Sequence, residues 1–208
     1  MADGRSRAPQ ARTRLARRAV LDAARTLFLE RGYGATTIDG ISSASDIPQA
    51  TIYRLFSSKK GILKALLDTS IAGDDEPVPV VERSHVRPLL DAAQPEDSVA
   101  RLAAISVDIN TRTAPIYRIL VSAASSDTDA AAILDELTRQ RQEGQGRVAT
   151  ALARAKALRT GLRARDAADV IHALASPELY QLLVIDREWS PERYERWLAE
   201  TLTGQLLP

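Results

Sequence analysis

A chain of 208 residues with 45% hydrophobic content can bury a sizeable core, which excludes disorder as its main state. It contains no cysteine, so disulfide frameworks, thiolate metal sites and cysteine nucleophiles are excluded, and His85 and His172 are its only imidazoles. The net charge of +1 conceals an asymmetry: residues 1–64 carry 12 lysines and arginines against 5 acids, a net +7 that leaves −6 for residues 65–208.

A basic first part suggests a polyanion as partner, because neutralising phosphates releases condensed counterions. The opening "MADGRSRAPQARTRLARRAV" lacks the apolar stretch of a secretory signal, and no run approaches the ~18 apolar residues of a membrane span. The expectation is a cytoplasmic protein with no membrane partner. Residues 1–13 are expected to be a flexible basic arm; Arg5, Arg7, Arg12 and Arg14, in it or at its end, could reach a minor groove or phosphates, but each is more readily read as merely solvated.

From Arg14 to Arg31, Leu15, Ala19, Val20, Ala23, Leu27 and Phe28 recur at helical spacing between arginines, which predicts an amphipathic helix with a basic side. Gly32 and Gly34 should end it, with Tyr33 folded back onto the apolar stripe. Thr36 or Thr37 can cap a short second helix that buries Ile38 and Ile41. Asp46 falls where the chain must turn, and Pro48 suits the first position of a third helix. In that helix Ile52, Leu55 and Phe56 point inward, leaving Gln49, Ala50, Thr51, Tyr53 and Arg54 outward or at the edge, which makes a helix-turn-helix. A fourth helix follows, capped by Ser57 or Ser58, with Ile62, Leu63, Leu66 and Leu67 as its apolar stripe and its end near Gly73.

The acidic, proline-rich "GDDEPVPVVERSHVRP" reads as a connection between two parts. Beyond it the pattern is helical throughout. One helix opens at "PED" with Val99, Leu102, Ile105 and Ile109; another should start at Pro115; a long one carries Ile133 to Ala155, with "GQGR" inside it as a kink or a point of close packing. A final pair, Asp166 to Asp186 and Pro191 to Leu206, holds much apolar surface. Leu174, Leu179, Leu183, Trp197, Leu198 and Leu202 are its candidate homodimer seam, the alternative being closure of the monomer core.

The residues "LDAARTLFLERGYGATT" followed by "TTIDGISSASDIPQATIYRLFSSKKGIL" resemble the TetR family of transcriptional regulators. The shared pattern is a helix ending in Leu-Phe and Gly-Tyr, then Thr-Thr, then Thr-x-Tyr-x-x-Phe-x-x-Lys, and it covers about Arg14 to Thr69. Ser45, Asp46 and Pro48 depart from the residues usual around the turn. The resemblance implies an all-α fold: a helix-turn-helix DNA-binding domain over 14–73 and a helical ligand-binding and dimerisation domain over 74–208. It also implies a homodimeric, ligand-responsive repressor that binds a palindromic double-stranded DNA operator and is released by a small-molecule effector. No cofactor, metal site or catalytic residue is expected.

Helix-turn-helix docking puts Gln49, Ala50 and Thr51 nearest the bases, where Gln49 can pair with adenine and Ala50 can touch a thymine methyl. By position in the motif, Thr37, Thr51, Tyr53 and Lys59 resemble residues that hold the sugar–phosphate backbone, and Thr36, Arg54 and Lys60 complete the DNA-facing set. The effector pocket is not assigned. Asp108, Asn110, Arg112, Tyr117, Arg118 and His85 are polar groups near the central helices, more readily read as surface or interhelical contacts than as its lining. An enzyme is disfavoured because no nucleophile–histidine pair or metal spacing is present, and the "SSKK" match to Ser-x-x-Lys falls in the basic module. A helical ligand-sensing protein without operator binding is the other rival.

Overall fold

The computed structural model describes residues 7–73 and 94–208, and every regular element among them is helical. The proline-rich connection beyond Gly73, together with Arg5 and His85, lies outside the described residues.

The described residues form two compact units, and neither is one continuous stretch of chain. The first takes the residues up to Thr69 and adds Pro115–Leu134; the second takes Ser70–Ala114 and Asp135–Pro208. This differs from a division at residue 73, since part of the second stretch of chain clusters with the first. An ion pair across that join, Lys60 Nζ to Asp129 Oδ1 at 2.9 Å, lies inside the first unit.

In the first unit α1 (Arg7–Ala35) begins seven residues before the expected start, so residues 7–13 are helical rather than an arm. Alanine, arginine and glutamine are good helix formers, and Pro9 sits in the first turn, where a missing N–H costs nothing. Val20, Ala24, Leu27 and Phe28 are buried along one side, while Leu15 is 69% exposed and takes no part in that stripe. Gly32 breaks the helix with φ 76, and Tyr33 does fold back, its ring 5.5 Å from that of Phe28. Against α1 pack α2 (Ile38–Ser45) and α3 (Gln49–Phe56), followed by α4 (Lys59–Ala72).

Pro115 does not start a helix. It lies inside α5 (Pro95–Ala124), which runs through it for 30 residues, and the chain turns only at 125–127 before α6 (Thr128–Arg154). The 27 residues of α6 span about 40 Å. Gly144 and Gly146 are helical within it, and an added Cβ would meet nothing closer than 3.9 Å, so neither marks close packing.

In the second unit the expected helix over 166–186 is broken. α7 (Ala164–Leu174) stops, Ser176 caps α8 (Pro177–Tyr180) by accepting from the Leu179 N–H at 3.1 Å, and one π-helical turn over Gln181–Ile185 follows. α9 (Pro191–Leu206) starts the same way, with Ser190 accepting from the Arg193 N–H. Both starts are Ser-Pro-Glu, where serine supplies the cap and proline the preset first turn.

Tyr194, Leu198, Leu202 and Leu206 recur every fourth residue of α9 and are all fully buried in the core of this unit. The Tyr194 ring meets Tyr180 edge-on at 5.4 Å, and its hydroxyl donates to the Leu174 carbonyl. Leu198 and Leu202 therefore drop out of the expected dimer seam: the face they occupy closes their own core. Leu174, Leu179, Leu183 and Trp197 are half-buried against that core, and Leu182 and Ile185 on the π turn are exposed.

Candidate nucleic-acid interface

The approach to α3 is built from local capping chemistry. Thr37 caps α2, its hydroxyl accepting from the Gly40 N–H at 3.0 Å. α2 ends on Asp46 in the left-handed conformation, φ 55, which aspartate adopts more readily than most side chains. Inside the turn the Ser42 hydroxyl donates to the Ile47 carbonyl at 2.8 Å and that of Ser45 to Ile41 at 2.7 Å. Pro48 stands one residue before α3, where its carbonyl accepts from the Thr51 and Ile52 N–H groups.

α3 is held from behind by Ile52 and Phe56, 1% and 6% exposed, and the Arg17 guanidinium lies over the Phe56 ring at 4.8 Å. Its other side is open: Gln49, Ala50, Tyr53 and Arg54 are exposed and Thr51 is half-buried. Tyr53 does not pack under the helix, since half of its surface is accessible. The structure thus brings five of the nine candidates together on one short helix. Gln49 is already engaged: its amide nitrogen donates to Asp39 Oδ1 of α2 at 2.8 Å.

The other candidates divide. Thr37 is exposed at the start of α2, but Thr36 is 2% exposed and donates inward to the Gly32 carbonyl at 2.8 Å, so its hydroxyl closes the end of α1 rather than facing a ligand. Lys60 is paired with Asp129 while remaining partly accessible.

Lys59 differs most from expectation. Its ammonium has three donors, and they meet the carbonyls of Tyr33 at 2.8 Å, Thr36 at 3.0 Å and Gly34 at 3.5 Å, above the Tyr33 ring at 4.3 Å. It ties the start of α4 to the α1–α2 junction, so its donors face inward carbonyls rather than the open side of α3. Burial pushes the ammonium below its ordinary value, with Asp127 opposing. Burial raises the Tyr33 phenol to about 12, with smaller contributions from Asp127 and Asp129.

Gly61, the third residue of α4, explains why the α3–α4 turn is so tight. A Cβ there would lie 1.9 Å from the Phe56 carbonyl oxygen, while the Gly61 N–H donates to Ser58, the residue that caps α4.

Arg7 begins α1, and Arg12 and Arg14 are exposed on it. Of the polar groups near the central helices, Arg112 pairs with Asp108 and donates to the Ser70 carbonyl, and Asn110 lies 3.4 Å from the Ala175 carbonyl, all within the second unit. Tyr117 is buried and Arg118 exposed in the first unit. These are interhelical and surface contacts. Asp39 and Arg17 were missed by sequence reasoning: an acid in a basic module and one arginine among many carry no signal of their own, and only the packing of α1 to α3 selects them.

Residues 20–66 match the family described as bacterial regulatory proteins, tetR family. An uncharacterized HTH-type transcriptional regulator, YvkB of Bacillus subtilis, is 44% identical over 48 residues, 23% of this chain and 25% of that protein. The chain thus aligns with about a quarter of the length of the curated relatives it matches. NalD, the secondary repressor of the MexAB-OprM multidrug efflux pump in Pseudomonas aeruginosa, superposes with a TM-score of 0.71 at 21% identity, covering 94% of this chain and 98% of NalD. A transcriptional regulator from Saccharomonospora viridis in complex with choline gives 0.69 at 19% identity, covering 93% and 98%.

Proposed function

We propose that this chain, which carries the DNA-binding domain of the TetR family and has the fold of its regulators, is a transcriptional repressor that binds a palindromic operator as a homodimer and is released by a small molecule. The observation that carries the reading is the open side of α3. Gln49, Ala50, Tyr53 and Arg54 are exposed on a helix whose opposite side is anchored by Ile52 and Phe56. Inserted into a major groove, such a helix presents Gln49 and Ala50 to base edges, and Tyr53 and Arg54 to the sugar–phosphate backbone together with Thr37 and Thr51.

Two protomers would place two such helices about one DNA turn, ~34 Å, apart. The exposed Leu182 and Ile185, beside half-buried Leu179 and Leu183, support a seam on the π turn and its flanks. Repression follows the relative whose name states it, NalD, and response to a ligand follows the choline-bound relative. The effector of this chain would act by population shift, binding the arrangement that does not fit DNA more tightly and lowering operator affinity by that difference.

The test is direct. Full-length protein is titrated with duplex DNA from its own promoter region, and with a scrambled duplex, over a range of salt concentrations. Specific, salt-dependent binding is expected; equal affinity for both duplexes, or none, rejects operator binding.

A further inference from the structure

Asp39 is the second residue of α2 and Gln49 the first of α3, and their side chains meet across the turn at 2.8 Å with the amide nitrogen as donor. We propose that Asp39 is a specificity-determining positioning residue, whose carboxylate orients the Gln49 amide to read adenine and reject guanine. The proposal rests on Gln49 being a base-reading residue.

The chemistry of the two groups carries it. An ionised carboxylate accepts hydrogen bonds and donates none, so the amide edge that faces Asp39 must be the nitrogen and Oε1 must turn away. The amide nitrogen has two hydrogens. Repulsion between Oε1 and the carboxylate favours the outer hydrogen for Asp39, which leaves the hydrogen beside Oε1, so the edge left for DNA offers one donor and one acceptor.

Adenine presents the complement of that edge in the major groove, its N6 amino group donating and its N7 accepting. Guanine presents O6 and N7, both acceptors, and Oε1 set against either is repelled. A glutamine amide with no such neighbour turns readily about its last torsion, which is broad and roughly two-fold, and can offer N–H groups to guanine instead. Asp39 removes that option.

In the free protein both side chains are exposed, and the bond competes with water. Docking displaces part of the groove's water, and in the lower local dielectric a charge-assisted bond strengthens and flipping the amide becomes harder. The restraint is thus strongest when the base is being read.

A carboxylate on this face would also repel phosphates, which gives the alternative to be tested. A merely electrostatic Asp39 shifts affinity for all duplexes alike; an orienting Asp39 changes the preference at one base. Full-length protein is used to select from a randomised duplex pool, and Gln49→Ala identifies the position that Gln49 reads. Affinities for duplexes with adenine or guanine at that position are then measured at fixed salt for the parent, Asp39→Ala, Asp39→Asn and Asp39→Glu. The near-isosteric Asp39→Asn guards against loss of the fold, and its amide can meet Gln49 as donor or acceptor, so it frees the flip. The parent is expected to favour adenine by roughly tenfold, and Asp39→Ala and Asp39→Asn by about twofold or less, with other positions unchanged; Asp39→Glu retains the preference. An unchanged adenine-to-guanine ratio in Asp39→Ala and Asp39→Asn, or a parent preference for guanine, overturns the proposal while leaving Gln49 as a reader. If Gln49→Ala alters no position, the reading of Gln49 fails and the proposal fails with it.

Discussion

Replacing Lys59 by methionine separates an internal clamp from a phosphate contact. Methionine keeps most of the stem and its packing while removing the ammonium, so the carbonyls of Tyr33 and Thr36 lose donors at 2.8 and 3.0 Å. The Gly34 contact at 3.5 Å contributes little at that distance. Hydrogen bonds from charged groups are worth about 1.5–3 kcal/mol each, and the position over the Tyr33 ring adds about 0.5–1 kcal/mol. Against this stands the desolvation that lowers the ammonium's pKa, and the site is only partly buried, so the expected net loss is about 2 kcal/mol. Urea unfolding should show the midpoint falling with little change in slope. Affinity for DNA measured across a salt series should then give an unchanged log–log slope, because an ammonium held on the α1–α2 junction neutralises no phosphate. A slope smaller by about 0.9 per protomer with stability unaltered would refute the clamp and restore a phosphate contact.

Three further predictions follow from the same unit and from the π turn. Gly61→Ala forces a Cβ against the Phe56 carbonyl and should cost about 1–3 kcal/mol while weakening all duplexes alike; a variant that melts with the parent shows that the α3–α4 turn has slack. The Tyr33 phenol, raised from 10.0 to about 12, holds its proton longer folded than unfolded, so its contribution is intact below pH 10 and is lost as pH rises towards 12. Tyr33→Phe should therefore flatten the alkaline fall in melting temperature; Lys59, with its lowered pKa, acts with the opposite sign below 10.5. Leu182→Glu with Ile185→Glu should convert a dimer to monomers in sedimentation without loss of helicity, and an unchanged sedimentation coefficient places the seam elsewhere.

The helix-turn-helix was legible because each of its steps is local. A capping threonine, a left-handed Asp46 and the inward spacing of Ile52 and Phe56 act within a few residues of themselves, and these features reappear in the structure. Proline favours a helix start but does not enforce one, and at Pro115 the neighbouring Ala114 and Ile116 are both buried within the continuous α5. Leu198 and Leu202 were misassigned for a related reason: apolar periodicity says that a helical face is covered, not what covers it. Lys59 and Asp39 were beyond sequence reading altogether, since their partners stand 26 and 10 residues away along the chain and only tertiary packing brings them together. The same separation hides Asp129, which reaches Lys60 across 69 residues.

That last contact bears on how a DNA-reading module of this kind could be transplanted. A chimera that takes the chain only as far as Thr69 leaves behind Pro115–Leu134, and with it the partner of Lys60 and the buried Ile116, Leu120 and Ala130. The compact unit is two segments, and a chimera has to carry both, or redesign the surface that the missing one would cover.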